Sequence, residues 1–212
     1  MHIEPGLLAQ GKLMFANAAA VAVLAAHAPA LAKRPALWLR TALAAIFFSV
    51  LMQSFHMKAG PSELHLIGAM PMYLLLGYVP TLFGFAAGLL LQGLLFEPQD
   101  LVHLAVNALS LIVPLMVVHH TLGRAGSGER LGRIVRLDAA YYAGVTLMVG
   151  FWLALGEQAT ALADWAMFAA SYVSVVALEP LFTWGLVRLA AGVREQAWAR
   201  ACLDERLTAA AA

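Results

Sequence analysis

Residues 64–96 read LHLIGAMPMYLLLGYVPTLFGFAAGLLLQGLLF, and no Asp, Glu, Lys or Arg occurs among them. The sequence GYVP at 77–80 has the glycine and proline of a turn and divides the stretch in two. A helix needs about 20 mainly apolar residues to cross roughly 30 Å of hydrocarbon. The stretch therefore predicts two short membrane spans joined by a tight turn.

The composition of the whole chain agrees with a lipid environment. Of its 212 residues, 62% are hydrophobic and 12% are charged, whereas a soluble domain typically has about 45–50% apolar and about 25% charged residues. The net charge of +1 gives no basic excess that would indicate a nucleic-acid partner. A single cysteine excludes a disulfide framework. These values predict an all-α membrane protein whose partner is the lipid bilayer.

Seven apolar stretches are long enough to be read as transmembrane helices, so we expect a bundle of about seven. The first lacks the basic start of a signal peptide and is long enough to span the membrane. The predicted spans are Leu13–Ala32, Leu37–Phe55, Leu64–Tyr78, Thr81–Phe96, Leu101–Leu122, Leu137–Leu155 and Trp165–Leu189.

The positions of the charged residues predict the orientation. With seven spans and the N-terminus outside, all Lys and Arg residues except Lys12 and Lys58 fall on the cytoplasmic side, as cytoplasmic loops favour. We therefore predict an outer N-terminus and a cytoplasmic C-terminus. The chain is then one transmembrane domain over residues 1–190, with a metal-binding segment at 1–12, followed by a cytoplasmic polar tail at 191–212.

The N-terminal sequence MHIEPG indicates a metal chelate. A free amine on Met1, the amide nitrogen of His2 and the His2 imidazole provide three nitrogen donors in sequence. A planar nitrogen set suits Ni(II) and Cu(II), and Co(II) accepts the same donors. An α-amine loses its proton near neutral pH at little cost. His65 lies on the same predicted side and offers a fourth donor.

The other histidines allow several interpretations. His56 and His103 also fall on the predicted outer side and would add imidazole donors, but His103 equally suits a structural hydrogen bond near a helix end. We expect His27 to pack between helices and His119 and His120 to lie at the lipid interface. Ionisable groups at membrane depth are functional candidates because they are costly to keep there.

These motifs resemble the cobalt/nickel-specific substrate-binding membrane subunits of energy-coupling-factor (ECF) transporters, the CbiM/NikM family. The resemblance begins with Met-His-Ile and Gly6, and it continues through GPSELHLIG and QGLLF to HLAVNALSL and LEPLFTWGLV. It covers about residues 1–190. The positions that match the family pattern are His65, Leu66, Gly68, Gln92, Leu94, Leu95, Phe96, Asn107, Glu179 and Thr183.

The resemblance implies that Met1, His2 and His65 bind Co(II) or Ni(II) as transported substrate. The chain departs from the family where a Thr-Ser pair usually precedes the later histidine, because Ser62 and Glu63 stand there instead. Glu63 would either orient a ring N–H, as carboxylates beside metal ligands do, or act as an added oxygen ligand.

Three further polar positions allow two interpretations. Gln92, Asn107 and Glu179 would either brace the N-terminal loop or make ordinary hydrogen bonds between helices.

The resemblance implies a substrate-capture component of an ATP-driven importer in a bacterial or archaeal plasma membrane, connected to cobalamin biosynthesis. The chain has no G-x-x-x-x-G-K-[ST] phosphate loop, so we predict that it does not hydrolyse ATP itself. As a transport component, it is predicted not to be an enzyme. Expected partners are a transmembrane coupling subunit, ATPase subunits and a small accessory membrane subunit. The alternatives are an intramembrane metalloenzyme that uses His56, His65 and His103, and a membrane sensor or structural protein without transport.

Overall fold

The computed structural model describes residues 8–54, 56–59, 62–123, 130–157 and 161–208, without the side chains of 56–59, 62, 63 and 208. These residues form an all-α bundle with one small hairpin. The elements are α1 Gln10–Ala32, α2 Ala36–Ser54, β1 His56–Ala59, β2 Ser62–His65, α3 Ala69–Leu75, α4 Tyr78–Leu95, a 3-10 turn Pro98–His103, α5 Leu104–Val118, a π turn His119–Gly123, α6 Leu131–Ala154, α7 Leu162–Val193, α8 Ala197–Cys202 and α9 Glu205–Thr208.

Helices α2 and α4 pack closely and run in the same direction. A Cβ atom at Gly84 would press against the Cβ of Ala44, so only a glycine allows the two backbones to approach this far. Further along, Gln53 donates a hydrogen bond to the side-chain oxygen of Gln92 at 2.8 Å. Because the residue numbers rise together along both helices, the helices are parallel. The chain from 55 to 77 must therefore return across the bundle before α4 begins.

This returning segment differs from the predicted third span. Leu64–Tyr78 was expected to be a membrane helix, but it contains the end of β2, a short connection and the seven-residue α3. Gly68 adopts a left-handed φ of 66° at the start of α3, which L side chains rarely adopt. Among the described residues, six helices are long and apolar enough to span a membrane. The extended residues and α3 complete the crossing between parallel α2 and α4.

The two ends of the bundle are distinct. The end that we call the hairpin end carries β1 and β2, and there Lys12 at the start of α1 donates a hydrogen bond to the carbonyl of Leu155 after α6. At the opposite end, which we call the tail end, the Tyr78 hydroxyl at the start of α4 lies 2.9 Å from Nε2 of His27 in α1. The described chain therefore starts at the hairpin end and finishes at the tail end.

The C-terminal segment packs against the tail end of the bundle. Arg40, which is 4% exposed, donates hydrogen bonds of 3.2 Å to the carbonyls of Arg200 and Ala201. The backbone N–H of Asp204 donates to the carbonyl of Leu75 at the end of α3 at 2.6 Å. Burial lowers the pKa of Arg206, but its hydrogen bonds and charge interactions with Asp204 and Tyr73 together outweigh this effect, so the net pKa is raised.

The outer surface of the bundle is apolar, as a lipid-facing surface must be. On α1, Met14, Phe15 and Val21 each expose more than half of their surface. The interior is filled by large side chains from other helices, including Phe48, Phe85 and Trp152. The apolar exterior and the helical content confirm the predicted all-α membrane class.

Candidate metal centre

His65 is the last residue of β2. Of the three predicted metal ligands, Met1, His2 and His65, it is the one that the structure describes. The two strands pair antiparallel, with His65 opposite His56 and Ser62 opposite Ala59 in the backbone register. The His65 side chain is buried, with 4% of its surface exposed. Helix α7 packs against both strands, and the hydroxyl of Tyr172 approaches the His65 backbone. The hairpin and α7 together fix the position of the His65 backbone.

The chain after His65 enters the bundle and is held by Glu179 of α7. The backbone N–H of Gly68 donates to Oε2 of Glu179 at 3.3 Å, and the same carboxylate faces the N–H groups of Ala69 and Met70. The Tyr142 hydroxyl of α6 donates to the same oxygen. Glu179 therefore satisfies the first N–H groups of α3, which have no partner within the helix.

A second carboxyl group lies beside Glu179. Asp138 of α6 is fully buried, and the Glu179 carboxyl is its close charged neighbour. The tyrosines Tyr141, Tyr142 and Tyr172 surround the pair. Sequence reasoning singled out Glu179 but missed Asp138 and the tyrosines. The available signal was an aspartate inside the predicted span Leu137–Leu155, where an ionisable group is costly.

The remaining predicted residues fall at the hairpin end. His103 precedes α5 and is 1% exposed, and neither of its ring nitrogens has a hydrogen-bond partner in the described part of the chain. Asn107, one turn later, is also buried. Gln92 donates to the carbonyl of Ser49 at 2.8 Å, which is the hydrogen bond between helices that was one of its two predicted roles.

The structure does not bring a complete ligand set together within the residues that it describes. No group of three His, Cys, Asp or Glu side chains in metal-binding geometry occurs in those ranges. Met1 and His2 lie outside the described residues, as do the side chains of His56, Ser62 and Glu63. His65 and His103 are the two predicted imidazoles whose side chains are described at the hairpin end.

This fold defines the class of protein: a multi-pass helical membrane protein with a buried histidine at the base of a hairpin. The family model described as CbiM, cobalt uptake substrate-specific transmembrane region, matches residues 2–197. The chain therefore belongs to the CbiM family, and the predicted resemblance is confirmed. Comparison with curated proteins and with solved structures gives no match.

Family membership establishes the coarse function. The chain is a substrate-specific membrane component of cobalt uptake and a multi-pass plasma-membrane protein. The predictions of transport, of cobalt as transported substrate and of transmembrane helices are confirmed.

Proposed function

We propose that the chain captures Co(II) or Ni(II) at the hairpin end through the amine of Met1, the amide and imidazole nitrogens of His2, and the imidazole of His65. The observation that carries the proposal is the burial of His65 at the same end of the bundle as the start of α1. A chelate formed by the N-terminal segment would need a further donor within its reach. An all-nitrogen site suits both cobalt and nickel.

The start of α1 supports an inward path for the N-terminal segment. Leu8, the first described residue, is 5% exposed and belongs to the bundle core. Lys12, in the first turn of α1, donates a hydrogen bond to the carbonyl of Leu155 at the end of α6. The described chain therefore begins in the bundle core at the hairpin end. We propose that the residues before Leu8 reach His65 from this end.

Further groups at the hairpin end complete the proposed site. His103 is buried with both ring nitrogens lacking partners among the described residues, so we propose it as an added ligand or as a support for the N-terminal segment. We propose the same two roles for His56, which pairs with His65 in the backbone register. Glu63, Ser62 and Asn107 would support the ligands from around the site, as groups beside metal ligands do.

The distribution of charge supports an outer hairpin end. Arg34, Arg40 and Arg200 lie at the tail end, whereas Asp100 and Glu157 belong to connections at the hairpin end. Basic residues favour the cytoplasmic side. We propose that the hairpin end faces outward, where the metal is captured, and that the tail end faces the cytoplasm.

Uptake requires energy from other chains in this proposal. We infer that the chain is the substrate-capture component of an ECF-type importer and works with a transmembrane coupling subunit, ATPase subunits and a small accessory membrane subunit. It is a transport component and not an enzyme. Family membership and the absence of a phosphate-loop motif from the printed sequence support this assignment.

The ligand assignment is tested by Co(II) and Ni(II) titration calorimetry on the purified protein with His2→Ala and His65→Ala. His120→Ala is the matched control, because His120 is exposed at the tail end. We expect both test variants to lose high-affinity binding while eluting as the wild type does in gel filtration. Binding that persists in both variants would overturn the assignment.

A further inference from the structure

We propose that Asp138 and Glu179 hold one proton between them and thereby fix the first turn of α3, so that Glu179 is a positioning residue for His65. The inference rests on the proposed role of His65. The two carboxyls come from neighbouring helices, α6 and α7, and are 0% and 1% exposed. The residue that Glu179 holds, Gly68, follows His65 by three positions.

The surroundings of the pair require a proton. Neither carboxyl has a Lys, Arg or His partner in the described part of the chain. Two adjacent carboxylates cannot both remain charged in a buried site without a counter-charge. The groups that face the pair from α6 and α7 are the hydroxyls of Tyr141, Tyr142 and Tyr172, which are neutral. One shared proton removes the excess charge.

The hydrogen-bond donors decide which carboxyl keeps the charge. Glu179 accepts from the Gly68 N–H and the Tyr142 hydroxyl and faces two more backbone N–H groups. Donors of this kind stabilise the ionised form. Neither carboxyl oxygen of Asp138 has a hydrogen-bond partner in the described part of the chain. Asp138 is therefore the protonated member, and Glu179 remains a carboxylate.

The clamp acts on the metal ligand through a short and buried connection. Leu64 and Ile67, which flank His65 and Leu66, are 1% and 0% exposed. A Cβ at Gly68 would press against Leu51 and approach Phe47. The connection therefore has little room to adjust, and a shift of the first turn of α3 moves the backbone of His65.

The proposal predicts opposite behaviour for two isosteric changes. Asp138→Asn replaces the protonated carboxyl with a neutral amide of similar size, so Co(II) affinity stays close to that of the wild type. Glu179→Gln replaces the carboxylate with a neutral amide and turns an N–H group toward other donors. We expect a 10–100-fold loss of Co(II) affinity, the usual range for groups that orient metal ligands, and a changed visible absorption spectrum of bound Co(II).

Hydrogen exchange on the metal-free protein supplies a readout that does not depend on metal binding. Peptides that cover residues 68–70 should exchange faster in Glu179→Gln, and at the wild-type rate in Asp138→Asn. Glu157→Gln, the same chemical change at an exposed residue, is the control. If Glu179→Gln does not fold, Tyr142→Phe removes one donor and should give a smaller acceleration at the same peptides.

The two readouts separate failure of this inference from failure of the proposed function. If the wild type binds no Co(II), the capture function fails, and faster exchange in Glu179→Gln alone still supports the clamp. Unchanged exchange in both Glu179→Gln and Tyr142→Phe overturns the clamp. Equal loss of protection in Asp138→Asn and Glu179→Gln overturns the shared proton. Unchanged Co(II) affinity in a Glu179→Gln variant that exchanges faster overturns the link to His65.

Discussion

Gly84→Ala should destabilise the protein because α2 and α4 approach closely at this position. The new Cβ would press against the Cβ of Ala44 and lie 3.2 Å from its carbonyl carbon and 3.3 Å from the nitrogen of Ala45. Backbone atoms cannot move aside as a flexible side chain can. Forcing an extra methyl group into a packed interior typically costs about 1–3 kcal/mol.

Gly185→Ala is the matched control for this change. Gly185 lies in α7 with nothing within 4 Å of its Cβ position. Both changes gain the same helix propensity, about 1 kcal/mol. The difference between the two variants therefore isolates the packing cost of about 1–3 kcal/mol. At about 2–4 °C per kcal/mol for a chain of this size, Gly84→Ala should melt roughly 2–12 °C below Gly185→Ala.

Thermal unfolding in detergent, followed by circular dichroism, measures this difference. The double variant Ala44→Gly with Gly84→Ala removes the closest contact, and we expect a favourable coupling of about 0.5–3 kcal/mol in the double-mutant cycle. Equal melting temperatures for Gly84→Ala and Gly185→Ala, with no coupling to position 44, would refute the close packing of α2 against α4 at Gly84.

Two further predictions concern the tail end and the effect of pH. Arg40→Ala removes two hydrogen bonds to α8, and hydrogen bonds to charged groups are worth about 1.5–3 kcal/mol. Limited proteolysis should therefore cleave the C-terminal segment of this variant faster than that of Arg188→Ala, which alters an exposed arginine at the tail end. Equal cleavage rates would contradict the attachment of α8 to Arg40. Co(II) affinity in the proposed site should fall as the pH is lowered from about 8 to 6, because amines and imidazoles bind protons in this range. Co(II) titrations at a series of pH values measure this change. An affinity that does not vary with pH would contradict nitrogen ligation.

The sequence predicted the long helices well, because hydropathy over about 20 residues is a direct physical requirement of the bilayer. It failed at Leu64–Tyr78, where an apolar run was read as one membrane helix. Apolar residues also suit a buried extended segment, and periodicity alone does not distinguish the two for short runs. The left-handed Gly68 and the neighbouring strands depend on contacts with α2 and α7 that lie far away in the sequence.

The candidate site was predictable in part. His65 was selected from its motif, and its burial at the hairpin end agrees with a ligand role without testing it. Asp138 was missed because its importance comes from its closeness to Glu179, which is 41 residues away in the sequence. The packing of α8 against Arg40 was likewise hidden, because its hydrogen bonds go to backbone carbonyls and leave no mark in the local sequence.

Metal analysis of the protein with a free Met1 amine, beside a variant with several extra residues before Met1 that place His2 well beyond the third position of the chain, tests the capture site most directly. Mass spectrometry first establishes the N-terminus of each preparation. The account predicts stoichiometric Co or Ni in the first protein and loss of the metal in the second, because the extension removes the α-amine from the chelate ring while leaving His2 and His65 unchanged. Equal metal in both proteins would contradict the terminal chelate.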